Sequence, residues 1–327
     1  MPLLIIGAED ARRLLPPGAG IQAMDLAMRA VSARSVEMPP RLVTALADQR
    51  GHLFVMPASS PDIPVYGAKA VSLQPANPAM GRPAVQGFVA LFDDETGSPV
   101  ALVDGASVTA LRTAAASALA TRELARRGAS SHGILGAGAL AEEHLRAMAC
   151  ARNITETRIW ARNRQKAHAF AARMAEETAM PVTAVERREQ AAGCDIVTVA
   201  TNASRPVLLG AWLNEGAHVN LVGAHRPTHR ESDSEAVSRA RIYVDSMKSA
   251  MQEAGDILIP LAEGAIKECA IAGEIGSVLN GAIPGREDDS QITLYKSLGL
   301  AAQDLFAAGH IYQRALETGA GTMVEFP

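Results

Sequence analysis

The sequence predicts an α/β protein in which a doubly wound parallel sheet is inserted into a second, sheet-rich α+β domain. Three observations predict it. Residues 1–103 hold several short β-like runs divided by turn residues, and a glycine-rich turn between an apolar run and a helical pattern follows only at Gly136. Beyond that turn, strand-like and helix-like stretches alternate, as parallel strands joined by right-handed crossovers require. At 327 residues the chain is long for one compact core, so two domains are expected.

The elements follow in order. Residues 1–6 form a brief apolar run with acids soon after; they lack the basic start of a signal peptide and the length of a membrane span, and read as a first strand. A helix is expected over residues 19–35. Strand-like runs follow at 42–46, 52–56, 66–73, 86–92 and 99–103, separated by Pro57 to Pro64, Pro75 to Pro83 and Asp93-Asp94-Glu95-Thr96-Gly97. The last two runs, joined by that polar loop, read as a β-hairpin. Residues 106–127 are Ala-rich and helical in pattern, a linker helix into the next domain.

Ser131 to Leu135 then enters the turn Gly136-Ala137-Gly138-Ala139-Leu140-Ala141, and a helical pattern follows. This is the physical recipe for holding a pyrophosphate. Gly136 allows a tight turn, Gly138 has no side chain to block the phosphates, and small Ala141 lets helix and strand pack closely, so the helix N-terminus aims its N–H groups at the anion. The insert is therefore a Rossmann-type domain for a dinucleotide. A strand at 157–160 ends at Ala161-Arg162-Asn163-Arg164. An NAD-preferring fold places an acid about here, roughly 20 residues beyond the glycines, to hold the ribose 2′-hydroxyl. Arginines here suit a 2′-phosphate instead, so NADP(H) is favoured over NAD(H), the alternative. Further strands are expected at 196–200, 218–222 and 241–244, and one long amphipathic helix over 291–316, bent near Gly299 and Gly309.

Composition is that of a globular chain: 48% hydrophobic, 20% charged, net charge −4. No electrostatic pull toward nucleic acid or an anionic membrane is expected. The three cysteines, Cys150, Cys194 and Cys269, are far apart and odd in number, which fits reduced cytoplasm better than a disulfide framework or a zinc cluster. His132, His144 and His168 lie too far apart along the chain for a local metal site, so no metal is expected.

Read together, these residues resemble the ornithine cyclodeaminase/mu-crystallin family. The resemblance covers nearly the whole chain and rests on Pro39-Pro40-Arg41, Gly67 to Val71, Leu111 to Ser117, the Gly136 to Ala141 turn, Val222 to Pro227 and Thr293 to Gly299. It implies a substrate-binding and dimerisation domain from residues 1–115, a Rossmann domain over 116–299, and a C-terminal helix, 300–327, returning to the first domain. It also implies a homodimer. The chemistry it implies is hydride transfer between a nicotinamide and a carbon–nitrogen bond beside a carboxylate.

That chemistry needs cations. Arginine grips a carboxylate in bidentate fashion, and lysine is both a point charge and a proton donor. The resemblance puts Arg41, Lys69 and Arg112 at the substrate, with Arg112 and Thr113 opening the Ala-rich helix near the cofactor as well. Lys69 lies in an apolar, strand-like run, where a buried ammonium needs a strong reason. Gly136, Gly138, Ala139 and Leu140 are expected along the pyrophosphate, and Arg162 and Asn163 at the adenosine ribose. Thr201, Asn202 and Val222 end successive strands on the ligand-binding edge. Ser297 is expected on the nicotinamide side.

The chain departs from the family at His225. Ornithine cyclodeaminases carry an aspartate there, in a stretch resembling G-A-D-x-P-G-K, whereas this chain reads Gly223-Ala224-His225-Arg226-Pro227-Thr228. Carboxylates stay ionised at neutral pH, while histidine can donate as readily as accept. The expectation is therefore an NAD(P)H-dependent reductase of small cyclic ketimine carboxylates, pyrroline-2-carboxylate or piperideine-2-carboxylate, with Lys69 and His225 as catalytic residues. The partner is a small imino or amino acid, with no nucleic acid and no membrane. The alternatives are ornithine cyclodeaminase with bound NAD+, an alanine-type dehydrogenase, and an NADPH-regulated small-molecule binding protein of the mu-crystallin type.

Overall fold

The computed structural model describes residues 2–325. The chain opens with β1 (Pro2–Ile6), α1 (Ala8–Leu14), α2 (Pro17–Ala33), β2 (Leu42–Ala45), β3 (His52–Ala58), β4 (Val65–Leu73), β5 (Val85–Asp93), β6 (Pro99–Asp104) and α3 (Gly105–Leu124). Next come β7 (Ser131–Leu135), α4 (Ala139–Ala151), β8 (Glu156–Trp160), α5 (Arg164–Thr178), β9 (Val182–Ala184), α6 (Arg188–Ala192), β10 (Ile196–Val199) and β11 (His218–Leu221). It closes with α7 (Ser234–Ser238), β12 (Ala240–Val244), α8 (Met247–Glu253), α9 (Gly255–Ala262), β13 (Ile271–Glu274), α10 (Ile275–Leu279), β14 (Ile292–Lys296), α11 (Ala301–Thr318) and β15 (Thr322–Glu325). Two compact units result, one of residues up to Arg112 and from Leu300 onward, the other Thr113–Gly299.

The first unit is built on a seven-stranded sheet ordered β15-β1-β6-β5-β4-β3-β2. Among the described residues only β1 and β6 pair in parallel in this sheet; the expected β5–β6 hairpin is antiparallel. Period-2 alternation along β4 sends Val65, Gly67, Lys69 and Val71 to the buried face. The register sets Met56, Lys69, Val89 and Val103 in one row across four strands, all buried. The opposite face carries a second row, Leu42, Val55, Ala70 and Phe88, in which Leu42 and Phe88 are exposed. α11 packs on β3 to β6 and against α2.

The second unit holds an eight-stranded sheet ordered β13-β12-β14-β11-β10-β7-β8-β9, with every pairing parallel. From β7 the chain winds outward through β8 and β9, then returns to β10 on the other side. The strand order thus reverses at the carboxyl end of β7, the position where sheets of this kind bind ligands. The central strands are buried on both faces: Val197, Val199, Val219, Leu221, Ile242, Val244 and Leu294 form the core, and polar residues such as Thr198, His218, Asn220 and Thr293 are buried among them. At the end of α3, Arg152 donates to the carbonyls of Arg122 and Ala125 at 2.8 and 2.9 Å, and Arg286 to Leu124 O at 2.6 Å. Cations there satisfy the orphan carbonyls of a helix C-terminus.

One expected element is corrected. Residues 291–316 are not one long helix: Ile292–Lys296 is the buried strand β14 between β11 and β12, and the helix starts at Ala301. A short apolar run buried on both sides has no periodicity to separate strand from helix. Gly299, at φ 84°, makes the break, whereas α11 runs unbroken through Gly309. Arg112 and Thr113 also lie two turns inside α3, which begins at Gly105, and do not open it.

Candidate active site

In the first unit, Lys69 stands among the apolar residues of its row and is only 3% exposed. An isolated buried ammonium is strongly disfavoured, so it requires partners. Its Nζ lies 2.7 Å from Asp304 Oδ2 and donates to Thr109 Oγ1 at 3.2 Å. Burial lowers its pKa to about 8; Asp304 acts in the opposite direction, and the charges of Arg112 and Arg41 lower it further. Arg112 is equally enclosed. Its Nε donates to Asp304 Oδ1 at 2.9 Å and its Nη1 to Gln303 Oε1 at 2.7 Å. A guanidinium has five N–H groups, and these two bonds fix its plane. Asp304, flanked by both cations, is held below the usual carboxylate range despite its burial.

The second unit carries the glycine turn. Gly136 has φ 131°, a conformation that side chains rarely adopt, and a Cβ there would stand 2.4 Å from Ala200 O. Gly138 is the N-cap of α4 and has no side-chain cap bond. A Cβ at Gly138 would meet nothing within 4 Å. Ala139 and Leu140 follow in the first helical turn. Uncapped N–H groups beside open space fit a dinucleotide pyrophosphate. Arg162 and Asn163 follow β8 and are exposed; Asn163 Oδ1 accepts from Lys166 N at 3.0 Å and caps α5. Arg164 is ion-paired to Glu186 at 2.6 Å.

Buried carboxylates pin the strand ends on the same edge. Glu231 Oε1 accepts from Thr201 N and Oγ1, both at 2.7 Å, and Oε2 accepts from Gly223 N at 2.5 Å and Ala224 N at 3.1 Å. Asp256 Oδ1 accepts from Glu231 N, and its Oδ2 from Lys296 Nζ at 2.9 Å, which also donates to Ala224 O. Burial and Asp256 push the Glu231 carboxyl up to about 7, against the pull of Lys296 and the Thr201 hydrogen bonds. Asp245 Oδ2 takes Leu298 N and Gly299 N, both at 2.7 Å. Between these anchors the Ser297 hydroxyl is buried with no hydrogen-bond partner among the described residues. Asn202 is exposed and Val222 buried at their strand ends. His225 is exposed, and its Nδ1 lies 3.1 Å from Gly223 O. A carbonyl only accepts, so this contact is a hydrogen bond in the tautomer that carries the hydrogen on Nδ1.

Sequence reasoning missed Asp304, Gln303, Thr109, Glu231 and Asp256. The signal for Asp304 was faint: an acid in the first turn of a helix is ordinary, and only its place in the apolar run Ala301 to Ala308 marks it. His132, His144 and His218 are buried with pKa values lowered by burial to about 3, 4 and 3, so they are neutral hydrogen-bonding core residues. Among the described residues no group of three or more His, Cys, Asp or Glu could hold a metal ion, and no helix is long and apolar enough to cross a membrane.

The model of the ornithine cyclodeaminase/mu-crystallin family matches residues 12–319. A Δ1-pyrroline-2-carboxylate reductase of Bacillus cereus is 35% identical over 99% of this chain and 100% of that protein. The ketimine reductase mu-crystallin of Mus musculus is 38% identical over 85% of each. The solved structure of Thermococcus litoralis Δ1-pyrroline-2-carboxylate reductase in complex with NADH and L-proline has a TM-score of 0.95 and 36% identity, covering 98% of this chain and 100% of that one.

Proposed function

The chain belongs to the ornithine cyclodeaminase/mu-crystallin family, and on that premise we propose that it reduces small cyclic ketimine carboxylates, pyrroline-2-carboxylate or piperideine-2-carboxylate, to the cyclic amino acid. The observation that carries this reading is the buried Lys69–Asp304–Arg112 cluster, two cations that share one carboxylate, with a lysine that can carry a proton. The Thermococcus relative was solved with NADH and L-proline, the cofactor and product that such a reaction would use.

The cofactor is a nicotinamide dinucleotide, held along the pyrophosphate by Gly136, Gly138, Ala139 and Leu140, with Thr113, Thr201, Asn202, Val222 and Ser297 completing its environment. Arg162 and Arg164 favour a 2′-phosphate, hence NADP(H), although the relative's NADH keeps NAD(H) as the competing choice. When bound, the reduced nicotinamide supplies a hydride to the imine carbon. The protein's own residues do the rest. Arg41 and Arg112 hold the carboxylate and orient the ring. Lys69 stabilises the charge on the substrate beside them. A protonated iminium needs little beyond this positioning; a neutral imine takes a proton from His225 or an ordered water.

The first unit is the substrate-binding and dimerisation part in this reading, and its exposed row of Leu42 and Phe88 supports a homodimer. Three free cysteines support a reduced cytoplasmic location. The test is oxidation of NADPH and of NADH by the full-length protein with each ketimine, beside ornithine, and pyruvate with ammonia. Turnover on a ketimine supports the reading. Ammonia release from ornithine, or turnover on pyruvate with ammonia alone, overturns it.

A further inference from the structure

The final helix supplies a carboxylate that neither the cofactor turn nor the set of cations explains. An acid in a first helical turn normally faces water, where it complements the helix dipole. Asp304 is instead only 1% exposed, and its two oxygens are divided between two cations, Oδ2 to Lys69 and Oδ1 to Arg112. Gln303 beside it takes Arg112 Nη1 and also accepts from Leu300 N at 3.2 Å, so its own side chain is tied to the start of α11. Thr109 accepts from Lys69 and donates onward to Gly105 O at 2.7 Å. The neighbours of Lys69 in its sheet row, Met56 and Val89, offer no charge. The largest charge effects on the ammonium come from Asp304 on α11, Arg112 on α3 and Arg41 ahead of β2.

We propose that Asp304 is a positioning residue of the reduction, holding Lys69 and Arg112 at one fixed separation and keeping Lys69 charged against its apolar row and the two arginines. Gln303 shares only the first task, locking the guanidinium plane. The inference rests on the ketimine reductase reading of the same cluster. Charge explains the division of labour. Two cations drawn into one dry site repel each other and, without a shared anion, the lysine is the one that loses its proton, since a guanidinium stays charged. A substrate carboxylate could neutralise them only after binding, whereas Asp304 does so beforehand and preorganises the cradle.

The test compares the full-length wild type with Asp304→Asn, which keeps the shape and removes the charge, and with Gln303→Met. NADPH affinity, read by fluorescence, serves as the check on folding and should change by less than about twofold. The activity of Asp304→Asn should fall mainly on the alkaline side, with the alkaline limb of the kcat profile moved about one pH unit or more toward acid. Activity should recover at lower pH. Gln303→Met should raise KM for the ketimine and leave that limb in place. An equal loss at every pH in Asp304→Asn would overturn the proposal and leave a purely structural ion pair. Titration of the Lys69 ε-carbon by NMR in 13C-lysine protein, assigned with Lys69→Arg, gives a readout independent of turnover. A midpoint lowered in Asp304→Asn supports the proposal even if the wild type reduces no ketimine, and an unmoved midpoint overturns it. Failure of the substrate reading would show separately, in the wild-type assay.

Discussion

Lys69 Nζ and Asp304 Oδ2 lie 2.7 Å apart, with side chains only 3% and 1% exposed. They meet because β4 turns Lys69 to the inner face of a sheet that α11 covers, and the first turn of α11 presents Asp304. A charge buried in that row without its partner would be strongly destabilising. A buried ion pair is itself a weak stabiliser compared with well-packed apolar residues, so this one argues for chemistry rather than for stability.

Lys69→Ala should therefore bind NADPH with nearly wild-type affinity while kcat for the ketimine falls about 100-fold or more. Binding is read by fluorescence and turnover by absorbance. Retained turnover would remove Lys69 from the mechanism.

Stability should carry the same signature. A folded-state pKa of about 8 lies below the ordinary 10.5, so the unfolded chain holds this proton more tightly. The contribution of Lys69 is full above pH 10.5, is lost as pH falls toward 8, and is constant below. Between pH 8 and 10.5 the unfolding free energy of the wild type should rise by about 3 kcal/mol relative to Lys69→Met. Paired urea titrations measure the difference, and a flat one contradicts the assigned burial.

The two glycines of the dinucleotide turn should separate binding from folding. Gly138→Val meets open space and should keep its Tm while weakening NADPH binding about tenfold or more. Gly136→Ala must accept φ 131° and a contact with Ala200 O, and should lower Tm as well as affinity. Thermal melts beside cofactor titrations distinguish them; equal behaviour would place the pyrophosphate elsewhere.

Cofactor preference should turn on Arg162. Arg162→Asp should raise KM for NADPH about tenfold or more and leave NADH nearly unchanged, because only the 2′-phosphate carries the lost interaction. Equal KM changes for both cofactors would mean that Arg162 is a solvated loop residue.

Much of this was legible along the chain. Alternation in β4 and β5 and the glycine turn after β7 are local signals, and they locate Lys69 and Gly138 without any tertiary knowledge. β14 was not legible as a strand, because a run buried on both faces carries neither helical nor alternating periodicity. Asp304 was hidden for a different reason. Its role depends on contacts across more than two hundred positions, from Lys69 to α11, and its local setting mimics an ordinary helix start. Glu231 was hidden similarly, since its four donors come from the ends of two strands and only the fold assembles them.

The most direct measurement is product analysis after turnover of pyrroline-2-carboxylate with NADPH deuterated at the transferable position of the nicotinamide. Proline carrying one deuterium at the α-carbon is expected, formed in step with the NADPH consumed and lost in Lys69→Ala. Intact NADPH with no labelled proline, in protein that demonstrably binds the cofactor, would contradict it.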